Sequence, residues 1–269
     1  MKYDLLKDRI SVWLDKYPKL LPILYGLMDK LFLRTWYVHR SLRRINPQFG
    51  SKLLDAGTGF GQYAWHTLHK YPGVHVTATD LKKDYLDRGA RSFDAFGLSD
   101  RVTWKVDDLT APNLKELFDY ILAVDVLEHI VEDEMAIAHF AKLLNRGGYL
   151  IISTPSDQGG SDVHDSTQES FIGEHVRDGY NLEDLINKLS NAGFQTVEQH
   201  YSYGTWGSVA WRLLIKLPIL LLGKSILFTP LVMLYYLPVL PLGLLLNFVD
   251  LKISNKVGTG LIVVACRET

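Results

Sequence analysis

The residues with the most chemical promise lie in one run, Leu53-Leu54-Asp55-Ala56-Gly57-Thr58-Gly59-Phe60-Gly61, where a strand-like stretch meets a glycine-rich turn. Glycines at such a turn let the backbone reverse sharply and let a ligand approach the main chain. The dinucleotide fingerprint reads G-x-G-x-x-G, whereas this turn reads G-x-G-x-G with Asp55 two residues before its first glycine. A carboxylate there repels a pyrophosphate and suits an ammonium group. The next strand-like stretch ends in Asp80-Leu81, and Asp80 follows Gly61 by 19 residues. An acid at that point can accept both hydroxyls of a ribose held over the first turn. A third stretch ends in Asp107-Asp108-Leu109, where an acid can accept from an adenine amino group, and a fourth runs into Asp125-Val126-Leu127-Glu128-His129. Any one of these aspartates could be a helix N-cap. Their order, at the edge where open α/β sheets bind ligands, is harder to explain by capping.

The elements that must position these acids follow from apolar periodicity. Short apolar runs alternate with amphipathic segments between residues 51 and 203, the pattern of a mostly parallel, doubly wound α/β sheet covered on both faces. The predicted strands are Lys52–Asp55, Val74–Thr79, Val102–Val106, Tyr120–Val124, Tyr149–Ser153, Gln195–His200 and Gly260–Cys266. Helices are predicted at Gln62–His69, Lys82–Phe96, Glu132–Leu144 and Asn181–Asn191, with Gly147-Gly148 and Gly193 as C-terminal caps. Residues 1–50 read as a helical cap with apolar positions Leu5, Leu6, Ile10, Trp13 and Leu14, interrupted at Pro18 and Pro22 and closing near Asn46-Pro47. The expected division is a cap over 1–50, an α/β domain over 51–208 and 258–269, and an insert over 209–257.

Across 269 residues, 29 basic side chains balance 30 acidic ones, so no global field recruits nucleic acid, and no nucleic-acid partner is expected. The single cysteine, Cys266, excludes an intrachain disulfide and fits a reducing compartment. Met1 to Asp8 is too charged for a secretory signal, so a cytoplasmic location is expected. No His/Cys/Asp group has metal-ligand spacing along the chain, and no metal is expected.

On these motifs the sequence resembles the class I S-adenosylmethionine-dependent methyltransferases, over about residues 50–203 and the final strand Leu261–Cys266. The resemblance implies a seven-stranded Rossmann-like fold, S-adenosylmethionine as cofactor, and methyl transfer. It places Asp55, Gly57, Thr58, Gly59 and Gly61 in the cofactor-cradling motif and Asp80, beside Leu81, on the ribose. Asp108, next to Asp107, would meet adenine together with the Leu109 backbone, and Asp125 would open the segment beside the reacting centre. Gly147-Gly148-Tyr149-Leu150 resembles the turn into the fifth strand, and His175-Val176-Arg177 with Tyr180 and Leu182 the segment before strand six. A hydroxyl acceptor needs a base, and histidine suits that task near neutral pH. The candidates are His129, His164 and His175; His129 reads first as a structural residue at a helix start and second as a base. A nitrogen or carbon acceptor needs no dedicated base.

The insert departs from the family's minimal pattern. Val209 to Val249 is almost wholly apolar, broken only by Arg212, Lys216 and Lys224, and Ile226–Val249 carries no charge over a length that could span a bilayer core of about 30 Å. Pro230, Pro238 and Pro241 argue against one straight helix. Because the flanking strands are antiparallel neighbours in this fold, the insert must leave and return on one side. That leaves two short crossings or, better, a re-entrant or in-plane hairpin. Trp206, Trp211, Tyr235 and Tyr236 suit a headgroup zone, and the basic segment 1–45 adds attraction to anionic lipid. The expected protein is a peripheral or monotopic methyltransferase with a hydrophobic or lipid-like acceptor, such as a quinol, lipid or pigment precursor. The rivals are an insert that covers a hydrophobic substrate without stable membrane binding, a soluble small-molecule methyltransferase that dimerises through the insert, and a non-catalytic membrane scaffold; oligomeric state is left open.

Overall fold

The computed structural model describes residues 17–159 and 176–268. Its strands are β1 (Lys52–Ala56), β2 (His75–Asp80), β3 (Val102–Val106), β4 (Phe118–Val124), β5 (Leu144–Pro155), β6 (Phe194–Ser202) and β7 (Gly260–Arg267). They form one sheet in the order β3-β2-β1-β4-β5-β7-β6. Neighbours run parallel except around β7, which lies antiparallel between β5 and β6. Strand order reverses between β1 and β4, and the crevice at such a switch point opens at the carboxyl ends of the strands.

Successive strand residues face opposite sides, so Leu53 and Leu54 enter two different cores. One face carries α1 (Leu21–Leu31), α2 (Leu33–Ile45), α3 (Gln62–Lys70) and α4 (Lys83–Asp94), packed through Tyr25, Tyr37, Leu42, Leu68 and Phe93. The other carries α5 (Asp133–Leu143) and α6 (Leu182–Asn191), packed through Phe140, Leu185 and Leu189. Asn181 caps α6 by accepting from Glu183 N and Asp184 N at 3.0 and 3.4 Å. Pro22 does not interrupt the N-terminal helices. It sits in the first turn of α1, where a missing N–H is harmless, and the break falls at Phe32 instead.

Six of the seven strands begin and end within two residues of their predicted bounds. The fifth begins five residues early, and the Gly147-Gly148 pair is no helix cap, since α5 has already ended at Leu143. The pair forms a bulge: Phe118 faces Leu144 while Tyr120 faces Tyr149, leaving extra residues on β5. Gly193 does take a left-handed conformation (φ +84°) just beyond α6.

Between β6 and β7 stand α7 (Thr205–Trp211), a π-helical turn (Arg212–Lys216), α8 (Leu217–Lys224) and α9 (Thr229–Lys252). Ser202 and Pro155 both pair with Gly260, so this excursion leaves and returns at the carboxyl edge of the parallel strands. Two continuous segments, Thr205–Lys224 and Thr229–Lys252, are long and apolar enough to cross a membrane by length and composition. The prolines do not prevent this. Pro230 lies in the first turn of α9, and the 24-residue helix continues through Pro238 and Pro241. Pro218 has no N–H to offer Leu214 O, and the Tyr236 hydroxyl donates to that carbonyl at 2.5 Å.

Candidate active site

β1 delivers Asp55 beneath the glycine turn, where it is almost fully buried. Its Oδ2 accepts from Thr58 Oγ1 at 2.5 Å and from Ala64 N at 3.2 Å, so this oxygen braces the turn and the start of α3 from below. Burial pushes the Asp55 carboxyl up to about 6. A cation above the turn would draw it back toward ionisation. Gly57 (φ +71°) is required by close approach as well as by conformation: a Cβ there would stand 2.3 Å from Val126 Cγ2. Gly59 (φ +56°) is the opposite case, since a Cβ there would meet nothing within 4 Å. The turn is sealed against the exit of β4 and open above Gly59. Gly61 (φ +87°) starts α3, and Thr58 N donates to Thr79 O at 2.8 Å, tying the turn to β2.

β2 ends in Asp80, which overhangs this opening. Its Oδ2 accepts from Gly59 N at 2.9 Å and its Oδ1 from Lys82 N at 2.8 Å. Beside it Leu81 is 68% exposed, an apolar side chain at the sheet edge that offers a flat contact to a planar base. The two acids after β3 separate in role. Asp108 is exposed and engaged locally, accepting from Thr110 N at 2.8 Å and Thr110 Oγ1 at 2.7 Å, which hold its carboxyl below the usual range. Asp107 is buried; its Oδ1 accepts from Asn113 N, and its Oδ2 has no hydrogen-bond partner. A buried carboxylate oxygen without a donor is costly, and an amino group arriving from a ligand would satisfy it. Leu109 is buried beside them.

After β4, Asp125 takes a left-handed conformation (φ +52°), uncommon for a non-glycine residue and strained enough to require support. Support comes from Asp125 N donating to Ser153 O at 2.8 Å and from an ion pair with Arg34 of α2. His129 follows in a half-buried single 3₁₀ turn, Leu127–His129. His164 and His175 lie outside the described residues, so of the three candidate bases only His129 is placed.

Two side chains not singled out from sequence join this edge. Arg34 comes from the N-terminal layer, 91 residues away from its partner. Glu128 is completely buried; its Oε2 accepts from Thr154 Oγ1 at 3.1 Å, its Oε1 is unpartnered, and burial pushes its carboxyl up to about 7. The Asp-Val-Leu-Glu-His run contains Glu128, yet no pattern within it separates a buried acid from an exposed one. The 3₁₀ turn is held from behind by Asp133, which pairs with Arg177 at 2.6 Å and Lys188 at 2.9 Å and accepts from the Tyr180 hydroxyl at 2.7 Å. Arg177 also donates to Ile130 O, and Tyr180 to Leu127 O.

The carboxyl edge of β1 to β4 thus holds an open glycine turn, an overhanging carboxylate, an exposed apolar side chain and a buried acceptor awaiting a donor. This set could hold a sulfonium nucleoside: Asp80 would face the ribose diol, Leu81 and the Asp107-Asp108-Leu109 run the adenine, and the turn over Asp55 the cationic amino-acid end. Residues 54–150 match a family model described as a methyltransferase domain. The ubiquinone/menaquinone biosynthesis C-methyltransferase of Cereibacter sphaeroides is 29% identical over 157 residues, 56% of this chain and 53% of that protein. This chain therefore spans about half the length of such curated relatives. Among solved structures, phosphoethanolamine N-methyltransferase 2 of Haemonchus contortus, in complex with S-adenosyl-L-methionine, aligns with a TM-score of 0.61 at 20% identity, covering 87% of this chain and 53% of that one. The [4+2]-cyclase SpnF aligns with a TM-score of 0.62 at 18% identity over 95% of both chains. At these identities the structural likeness shows the fold.

Residues 54–150 thus carry a methyltransferase domain on a Rossmann-like sheet, and relatives of this kind are solved with S-adenosyl-L-methionine bound.

Proposed function

We propose that the protein methylates a hydrophobic, lipid-like acceptor, such as an isoprenoid quinol, a lipid or a pigment precursor, at the cytoplasmic face of a membrane. One observation carries this reading: the apolar hairpin α7–α9 springs from the same sheet edge as the cofactor cup. Leu231, Met233, Leu234, Leu237 and Leu245 of α9 are each more than half exposed, a contiguous apolar surface that water disfavours. Between residues 205 and 257 the charged side chains are Arg212, Lys216, Lys224, Lys252 and Lys256, with Asp250 the sole acid, and that acid is fully buried. An apolar hairpin with only cations exposed is complementary to an anionic lipid surface.

The glycine turn and Asp80 would hold S-adenosylmethionine, whose sulfonium would supply the methyl for an acceptor's nucleophilic atom, with the thioether as leaving group and a proton lost from the acceptor. The chain's own part is alignment and electrostatics. Asp80 and the glycine turn orient the nucleoside, while Arg34 and Ser153 hold Asp125 at the point where β4 ends. His129, half-buried just past the end of β4, is the placed candidate to take a proton from a hydroxyl acceptor. The relatives named for quinone C-methylation and phosphoethanolamine N-methylation support a small-molecule acceptor, the quinone one alone a hydrophobic acceptor.

The test is flotation of full-length protein with vesicles containing anionic phospholipid, alongside a chain lacking residues 209–249. The full chain should float and the shortened one should not. Methyl-labelled cofactor with quinol-bearing vesicles should then transfer label into the lipid phase. Equal flotation of both chains removes the membrane from the reading; absence of label from every lipid fraction removes the acceptor class.

A further inference from the structure

Away from the cup, three helices bring ligating side chains to one place. Asp29 comes from α1, His39 from α2 and His66 from α3, and one ligand atom of each lies within 4.8 Å of the others. His39 Nε2 stands 3.9 Å from Asp29 Oδ1, and the two imidazole rings stack with centroids 3.4 Å apart. The Nε2 atoms of both rings are buried and have no hydrogen-bond partner. Asp29 itself is oriented by Gln62, whose Nε2 donates to Oδ1 at 2.6 Å.

Two buried imidazole nitrogens without donors or acceptors, beside a carboxylate, are an unsatisfied polar cluster of the kind native folds avoid. A water could serve one nitrogen; a cation serves all three groups together. Both Nε2 atoms are buried without a hydrogen-bond partner, so each can offer its lone pair to an ion. Zinc bonds nitrogen at about 2.0–2.1 Å, which puts tetrahedral ligand atoms about 3.4 Å apart, so the observed cluster needs contraction and splaying of the stacked rings. Arg43 lies near both rings and Lys70 near His66, which disfavours hard cations held by charge alone. Imidazole-rich sites instead select borderline transition ions such as zinc.

We propose that Asp29, His39 and His66 form a transition-metal clasp, of the zinc class, that fastens the N-terminal helices α1 and α2 to α3. The clasp lies outside the cofactor cup. Gln62, which orients Asp29, and His66 are one turn apart on α3, and α3 starts at the glycine turn, so the ion would fix the N-terminal layer that carries Arg34. Asp29 and His39 are 10 residues apart and His39 and His66 are 27 apart, on three different helices, which is why spacing along the chain shows no metal motif.

The untagged full-length chain, stripped with chelator, is titrated with Co(II) while visible ligand-field absorption is recorded, and Zn(II) is then added as competitor. The expected result is one equivalent of Co(II), displaced by Zn(II), with a rise in Tm. The His39→Asn/His66→Asn double variant should bind at least 100-fold more weakly, whereas His75→Asn, at an exposed position, should bind as the parent does. If circular dichroism shows that the double variant is unfolded, Asp29→Asn, which keeps the side-chain shape, should weaken binding at least tenfold. No stoichiometric binding by the parent, or undiminished binding by the folded variants, overturns the clasp. Neither result bears on the methyltransferase reading, because cofactor binding is measured separately.

Discussion

The cofactor edge and the apolar hairpin grow from the same ends of the sheet, yet they satisfy their side chains in opposite ways. At the edge most acids are held by partners within the chain, Asp55 by Thr58 and Ala64, Asp80 by Gly59 and Lys82, and Asp133 by Arg177, Tyr180 and Lys188, while Asp107 Oδ2 and Glu128 Oε1 are left without one. The hairpin is tied down only at its root. There Asp250 accepts from Tyr37 Oη at 2.9 Å and Gly207 N at 3.0 Å, and Arg40 donates to Leu251 O at 2.7 Å. Beyond the root Leu214, Ile215 and Val232 are buried within the hairpin, while Met233, Leu234 and Leu237 face outward. The edge is held mainly by polar bonds within the chain, whereas the outer hairpin exposes apolar side chains. Stability should therefore respond to changes at the edge, and location to changes on the hairpin.

The largest expected effect tests the edge. Asp133→Ala leaves Arg177 and Lys188 without their shared carboxylate, and removing one partner from a buried ionic cluster costs about 3–5 kcal/mol. Chemical denaturation should show that loss, and Lys188→Met made alongside it should recover part of it. A change below about 1 kcal/mol would mean the cluster is solvated and does not hold the 3₁₀ turn.

Glu128 gives the next effect and a pH signature. Its folded-state value near 7 lies above the ordinary 4.5, so the native state holds its proton longer than the unfolded chain does. Below the unfolded value both states are protonated and nothing is lost; as pH rises to 7 the native state is penalised, by of order 3 kcal/mol. The buried His39 and His66 act with the opposite sign over much of this range, because they stay neutral when the unfolded chain's histidines take up protons. Comparing Glu128→Gln with the parent cancels them. The variant's Tm advantage should grow from pH 4.5 to pH 7 and then level off. A constant difference across that range would show that Glu128 titrates normally.

Asp80→Ala comes third. It removes the carboxylate set over the turn, and loss of charge-assisted hydrogen bonds at about 1.5–3 kcal/mol each should weaken S-adenosylmethionine binding by about 100-fold in calorimetry. The fold should change little, since Gly59 N and Lys82 N lie where water can replace the acid. Unaltered affinity would place the ribose elsewhere.

The cup was readable in the sequence because its parts are local: a turn, and acids at strand ends that alternation fixes to one edge. Burial was not. Asp107 and Asp108 are adjacent letters, yet one carries a buried unpartnered oxygen and the other caps its own loop. Arg34 meets Asp125, and His39 meets His66, through packing of helices that no local pattern encodes. The rule that proline breaks helices failed here, since Pro22 and Pro230 start helices and Pro238 and Pro241 lie within one, while the N-terminal break falls at Phe32. Helix rules weigh one lost hydrogen bond, and a 24-residue helix has many others. The insert's apolar composition was plain; its resolution into two long helices depended on those remaining bonds.

The smallest effect on the folded protein is the sharpest test of the comparison. Leu234 is 63% and Leu237 72% exposed, and both lie on α9 beyond the tied root. If the hairpin is completed by lipid, Leu234→Ser/Leu237→Ser removes apolar contact from the bilayer and almost none from the protein core. Exposed substitutions of this sort shift stability by no more than about 0.5 kcal/mol. Burying a leucine side chain is worth about 1.5–3 kcal/mol, so vesicle partitioning should fall by tenfold or more. The two readouts should therefore part company: denaturation midpoint unchanged, flotation sharply reduced. A protein-completed hairpin gives a different pattern, because a second copy covering these leucines would make light scattering report a lipid-free dimer that the double variant dissolves. Measuring both on one preparation decides whether lipid or protein covers the outward face of α9.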